Sequence, residues 1–288
     1  MKKQPYILKG LKKNNSKSLS GFRERVCLNS MKQLQTITTL AKNCLRILSL
    51  IVIMFIPVTH FGQPSSGWKL EKMPADLETD FALSSLPLYV QKNATVYLLD
   101  PEKGYYIGRR GTNGFICFVI RTEWEQAEFR DDIATPISFD AEGAKTIFPV
   151  YADEATMRAS GKFTPAQIKD TMTERYNKGY YKAPSRSGIS FMLAPVMRVY
   201  DGPSSTVITM NMPHYMFYAP YVKESDIGGN SPSGGLMILG DGKGPHGYII
   251  LPAGKTEKAK IINENKDLLK RLIKYKAYFE TNPGRMHH

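Results

Sequence analysis

Two histidines are the strongest candidates for chemistry in a chain of 288 residues that holds only five. His214 lies in Met212-Pro213-His214-Tyr215-Met216-Phe217-Tyr218, and His246 in Gly244-Pro245-His246-Gly247-Tyr248. Each follows a proline at the mouth of a predicted strand and precedes aromatic residues. If the two strands are neighbours, the imidazoles converge at one end of a sheet. With a carboxylate such as Asp226 or Asp241, two imidazoles offer the N and O ligands of a divalent metal site with an open position. Without a metal, neutral imidazoles beside Tyr215, Tyr218 and Tyr248 form the polar part of an apolar ligand pocket. Acid–base catalysis is a third use. The plain alternative is that each ring caps a strand end and hydrogen-bonds locally.

Arg109, Arg110 and Arg121 flank Gly111-Thr112-Asn113-Gly114. Clustered at one sheet edge, they hold a carboxylate or phosphate in bidentate fashion; paired with Asp140 and Glu142, they form an ordinary ion network. Other chemistry is poorly represented. The glycine-rich stretches 228–235 and 240–244 have neither dinucleotide-fingerprint nor P-loop spacing, and neither leads from a strand into a helix. The second reads as a hairpin turn. No serine sits in Gly-x-Ser-x-Gly. Cys117 falls in a segment apolar on both faces, which makes it a buried, inert thiol rather than a nucleophile.

The elements that must position these residues follow from periodicity. A short helix is predicted over 75–84. Period-two segments over 94–99, 105–109 and 115–121 read as three strands joined by turns at 100–104 and 111–114. In the third, Phe115, Cys117 and Val119 face one way and Ile116, Phe118 and Ile120 the other, the pattern of a central strand covered on both sides. A helix is expected over 153–160. Thr164-Pro165-Ala166-Gln167 has the hydroxyl, first-turn proline and N3 glutamine of a capped start, for a helix to about residue 177 with Gly179 beyond. Strands follow over 188–193, 196–200, 205–212, 215–218, 236–239 and 248–251. A long amphipathic helix over 258–280 carries Ile261, Asn265, Leu268, Leu272, Tyr275 and Phe279 on one stripe. Strands, then helices, then strands make the class α+β, with a mainly antiparallel sheet in a single domain over 75–280 and a tail over 281–288.

The net charge of +13 suggests nucleic acid until its location is examined. Residues 1–62 hold eleven Lys and Arg against Glu24 alone, which leaves 28 of the 39 basic and 25 of the 26 acidic residues for the rest. A nucleic-acid binder needs its excess on the folded domain, so that partner is not expected. The basic stretch ends at Arg46, and an uncharged apolar run over 47–58 is too short for a membrane-spanning helix but suits an export signal. Cleavage is expected near Gly62, with 63–74 a leader; Met31 is an alternative start, and retention as an uncleaved anchor is the competing outcome. Cys27 and Cys44 lie in this segment, so Cys117 remains alone and no internal disulfide forms.

The blocks Gly111-Thr112-Asn113-Gly114-Phe115-Ile116-Cys117, Pro213-His214-Tyr215-Met216-Phe217-Tyr218-Ala219-Pro220 and Gly244-Pro245-His246-Gly247-Tyr248 resemble an uncharacterised group of exported bacterial proteins over about residues 85–252. The resemblance implies export and no particular activity. The expected function is a periplasmic or secreted domain that binds a small ligand or metal with His214 and His246. A histidine-dependent hydrolase with the cluster of Arg109, Arg110 and Arg121 as anion holder, or a non-catalytic envelope interaction module, are the alternatives.

Overall fold

Alternating apolar residues build the centre of the molecule. In a computed structural model, which describes residues 70–201, 206–229, 236–240, 242 and 244–281, ten strands form: β1 (Thr95–Asp100), β2 (Gly104–Arg109), β3 (Ile116–Ile120), β4 (Thr135–Phe139), β5 (Ile189–Met192), β6 (Met197–Tyr200), β7 (Val207–Met210), β8 (His214–Tyr218), β9 (Met237–Leu239) and β10 (Tyr248–Pro252). Eight of them make one sheet in the order β2-β1-β3-β4-β5-β8-β10-β9, and β6 pairs with β7. Every pairing is antiparallel except β1 with β3. The described residues belong to one compact unit; residues 1–62, expected to be an export signal, and all of the expected tail except Thr281 lie outside them. Among the described residues no helix is long and apolar enough to cross a membrane.

The two sheet faces are packed by different helices. Cys117, Val119, Val96 and Phe191 face α1 (Ala75–Leu83), the short α2 (Leu88–Gln91) and the C-terminal segment, where Phe81 and Phe279 meet edge to face at 5.5 Å. Phe118, Ile120, Ile137, Phe139 and Met216 face the other way. Between β4 and β5 the chain forms α3 (Ala141–Thr146), α4 (Phe148–Ala159) and α5 (Pro165–Asn177), of which α4 covers that second face. All of β3 is buried. The thiol of Cys117 is fully buried, and desolvation pushes its pKa up to about 12. Native Cys117 should therefore label slowly with a thiol reagent and quickly after denaturation. Cys117→Ser should cost about 1–3 kcal/mol through its buried hydroxyl. Rapid labelling of the folded protein contradicts both statements.

Four expectations need correction. β3 is not the third strand of a meander, because it runs parallel to β1. The 111–114 segment crosses the end of β1, where Thr112 and Asn113 donate to Asn93 O at 2.7 and 3.1 Å. A Cβ on Gly111 would sit 2.2 Å from that same carbonyl, so only glycine fits. The first mid-chain helix begins at Phe148, five residues earlier than its apolar spacing suggests, and α3 precedes it. Central β4 has no counterpart among the expected strands, and it carries Pro136, a residue that disfavours an interior strand. Its missing N–H is tolerated because the β4–β5 pairing involves only Ser138 and Phe139. Finally, the long C-terminal helix is two helices, α6 (Lys255–Glu264) and α7 (Lys266–Tyr275), followed by a 3₁₀ turn (Ala277–Phe279). Asn265 makes the break: its backbone leaves the helical region, and its amide donates to Ile261 O at 2.9 Å. Asparagine competes in this way for helix carbonyls. Ile261, Leu268, Leu272 and Phe279 are buried as their stripe requires.

Candidate functional site

The histidines do not meet. β8 and β10 are indeed neighbours, but antiparallel, with His214 opposite Pro252 and Tyr218 opposite Tyr248. Gly247 O accepts from Ala219 N at 2.8 Å, which places His246 beyond the far end of β8. The separation along the strands is about 20 Å at roughly 3.4 Å per residue. His214 is 4% exposed, its Nδ1 lies 2.7 Å from Met212 O, and burial keeps its pKa below the ordinary histidine value. Asp226 is exposed and accepts from Lys223 N at 2.9 Å. Asp241 lies outside the described residues. Among those residues no group of three His, Cys, Asp or Glu side chains could hold a metal ion.

The arginine cluster also separates, for the same topological reason. Val96 pairs with Arg109 on one side and Cys117 on the other, so Arg109 is level with the start of β3 while Arg121 follows its end. Arg109 donates to the carbonyls of Gln91 and Ala94 at 2.5 and 3.0 Å. Arg110 is exposed at the end of β2. Arg121 is buried and donates to Ile133 O at 2.8 Å and Asp131 O at 3.1 Å. Asp140 is no partner of these arginines; it caps α3 by accepting from Glu142 N and Gly143 N at 3.0 Å. Glu142 accepts from Ser185 N at 2.6 Å. Tyr218 donates to Asp140 Oδ1 at 3.0 Å, and Tyr215, on the opposite sheet face, donates to Glu257.

What the fold does assemble is a cavity of about 500 Å³ on the α4 side of the sheet. Its floor is the sheet itself, with Ile120, Ile137, Met192 and Met216 projecting from four adjacent central strands. Along one wall, α4 and the residue before it present Ile147, Val150, Tyr151 and Glu154, spaced i, i+3, i+4, i+7 on one helical face. Beside it, the loop after β3 supplies Thr122 and Glu123, and its 3₁₀ turn (Trp124–Gln126) adds Trp124 and Glu125. Ala127 ends that turn with φ 52°, a left-handed conformation that reverses the chain. Tyr176 from α5, His246 and Tyr248 complete the lining.

His246 and Tyr248 are thus the two predicted ligand residues that reach the cavity. His246 Nε2 lies 3.0 Å from Lys182 O, and its Nδ1 lies 2.9 Å from Tyr176 Oη. A carbonyl only accepts, so Nε2 carries the proton and Nδ1 accepts from the tyrosine hydroxyl. Burial holds the ring neutral, below the ordinary histidine value. With both nitrogens engaged, His246 fixes Tyr176, whose ring stacks on Trp124 at 5.8 Å.

The polar groups at this site are unusually exposed to its electrostatics. Glu154 is 2% exposed, and its Oε1 has no hydrogen-bond partner. Desolvation, reinforced by Glu125 and Glu123, holds its carboxyl well above the ordinary glutamate value. Glu123 is pushed up to about 7 by desolvation and then by Glu125. Glu125 is also raised, but it is an exposed residue at the mouth and solvent screens it, so its shift counts for less. The buried Tyr248 hydroxyl likewise has no partner. Below Glu154, Arg158 donates to Arg121 O, Thr122 Oγ1 and Arg130 O at 3.0, 2.9 and 2.7 Å, which ties the carboxylate-bearing loop to α4.

Sequence reasoning missed Glu123, Glu125, Glu154, Trp124, Tyr151 and Tyr176. One signal was available: Glu154 and Arg158 occupy the apolar stripe that begins at Ile147, where a charged residue must be buried. Comparison with known proteins gives no match to a family model, a curated protein or a solved structure.

Proposed function

We propose that this domain binds a small, mainly apolar molecule in the cavity between α4 and the central strands, and that it does so outside the cytoplasm. The cavity carries the reading. Its volume falls within the range of small-molecule sites, and its walls combine an apolar floor with a few convergent polar groups. Glu154 Oε1 and Tyr248 Oη support it further, since a buried polar atom without a partner costs free energy that a ligand could recover. Export rests on the basic and apolar pattern of residues 1–62. The metal-binding form of the proposal gains no support from His214 and His246 at opposite strand ends. Nor does a hydrolase with His246 as base, because both imidazole nitrogens are engaged.

Val199 is half-buried and borders the cavity, so a larger side chain there grows into open space. The full chain should bind the neutral dye phenylnaphthylamine saturably, with fluorescence enhancement. Val199→Trp should weaken that binding by about tenfold or more, roughly 1.4 kcal/mol, while keeping a cooperative melt. Unsaturable dye binding, or equal affinity in a folded Val199→Trp protein, would sink the proposal.

A further inference from the structure

We infer that the ligand of this cavity is an organic cation with an apolar body, an amine whose ammonium head lies among Glu123, Glu125 and Glu154 and whose hydrocarbon covers the Ile137 and Met216 floor. The inference rests on reading the cavity as a ligand site and adds the chemical class of what enters it.

Charge complementarity is the first support. Among the described residues that line the cavity there are three carboxyl groups and no lysine or arginine. Their placement is uneven: all three lie on the wall made by α4 and the post-β3 turn, while the sheet floor is apolar. A ligand that satisfies both surfaces is therefore amphipathic, with its positive end towards that wall.

Unsatisfied buried groups are the second, independent support. Glu154 is 98% removed from solvent, borders the cavity and leaves Oε1 without a partner. Tyr248 is 5% exposed and leaves its hydroxyl in the same condition. An ammonium carries three N–H donors and no acceptor. It therefore matches the acceptors on this wall, the Glu154 and Glu123 carboxyls and the tyrosine oxygens. The third support is aromatic. Trp124 and Tyr176 stack with their planes 25° apart, and cations bind favourably over such ring faces.

Binding should also be linked to protons. The groups facing the ammonium are Glu123 and Glu125 from the turn, Glu154 and Tyr151 from α4, Tyr176 from α5, and His246 and Tyr248 beside β10. Behind them, Lys169 acts on Glu125 and Arg158 on Glu154. Burial holds His246 neutral and the tyrosines protonated through neutral pH. The carboxyls are thus the groups that change. A cation stabilises their ionised form, so protons leave as it binds, and affinity rises with pH across the neutral range.

The test compares phenylbutylamine, phenylbutanol and phenylbutanoate, which share one hydrocarbon skeleton, by calorimetric titration into the full chain at about pH 6 and about pH 8. The amine should bind about tenfold or more tightly than either analogue, and more tightly at the higher pH. Glu154→Gln should reduce amine affinity by about tenfold and leave the alcohol unchanged; Glu123→Gln should shift it in the same direction, which covers failure of the first variant to fold. Val199→Trp should abolish binding of all three. Alcohol binding as tight as amine binding, with both lost in Val199→Trp, overturns the cation inference but leaves the cavity reading intact. Amine binding that persists in Val199→Trp places the cation elsewhere and overturns the inference. If no probe binds, both readings fall.

Discussion

Arg158→Met should destabilise the domain by about 3–5 kcal/mol, measured as a fall in the urea midpoint, because three acceptors lose a buried charged donor. Arg158 is 3% exposed and donates to Arg121 O, Thr122 Oγ1 and Arg130 O, with its guanidinium 4.7 Å from the Phe129 ring. Methionine fills much of the volume but donates nothing, so three acceptors in the 121–130 segment lose a donor. That segment carries Glu123, Trp124 and Glu125. Dye binding in the cavity should therefore fall together with stability. Arg175→Met is the contrasting case. Arg175 meets Asp153 at 2.6 Å, but both side chains remain about a third exposed, at 33% and 31%. That change should cost about 0–1 kcal/mol. Equal costs for the two substitutions would mean that the Arg158 bonds do not hold the wall.

The elements that could be read from sequence were those whose signal is local. The Thr164 capping box forms with both of its hydrogen bonds: Thr164 N donates to Gln167 Oε1 at 2.8 Å, and Thr164 Oγ1 accepts from Gln167 N at 3.2 Å. Gly179 follows α5 with φ 62°, as a helix terminator should. The two-faced pattern of β3 predicted its central position, because each face must be covered. Register and direction are different in kind. Nothing in Gly111-Thr112-Asn113-Gly114 distinguishes a hairpin from a crossover, and that choice decided whether Arg109 could approach Arg121. The same limit applied to the histidines. Similar proline–histidine contexts suggested similar positions, but antiparallel neighbours carry matching motifs to opposite ends of the sheet.

The cavity was invisible for a related reason. Its residues come from the ends of β3 and α5, the middle of α4 and the start of β10, which are distant in sequence and meet only through the strand order. Glu123, Glu125 and Glu154 look like ordinary surface acids when read singly. Their chemistry arises from juxtaposition, since Glu125 makes Glu123 harder to ionise and both do the same to Glu154. Sequence pattern located the helix that bears Glu154, but neither the turn that bears Glu125 nor the shared low-dielectric wall that gives the three a common role.

The same desolvation, acting away from the cavity, gives the clearest pH effect. Glu78 on α1 is 2% exposed and accepts from Leu99 N at 2.8 Å. Burial raises its carboxyl from 4.5 to about 7, against the opposing pull of that hydrogen bond and of Arg121. The folded state thus holds a proton that the unfolded state has lost between these two values. Stability from this group is fully present below about 4.5 and disappears as pH rises through about 7. Over that interval the loss is about 3 kcal/mol, at 1.36 kcal/mol per pKa unit. Buried His214 and His246 act in the opposite sense, because their neutral folded forms lose stability as pH falls below the ordinary histidine value. The raw pH curve mixes these contributions, and Glu78→Gln separates them. Glutamine can accept the Leu99 N–H through its own oxygen but cannot ionise. The variant should match the wild type at about pH 4 and exceed its stability by about 3 kcal/mol at about pH 8, with the gap opening between. Chemical denaturation at a series of pH values measures this difference directly. A gap that is constant with pH would mean that Glu78 is solvated enough to ionise normally, and that α1 does not seal this side of the sheet.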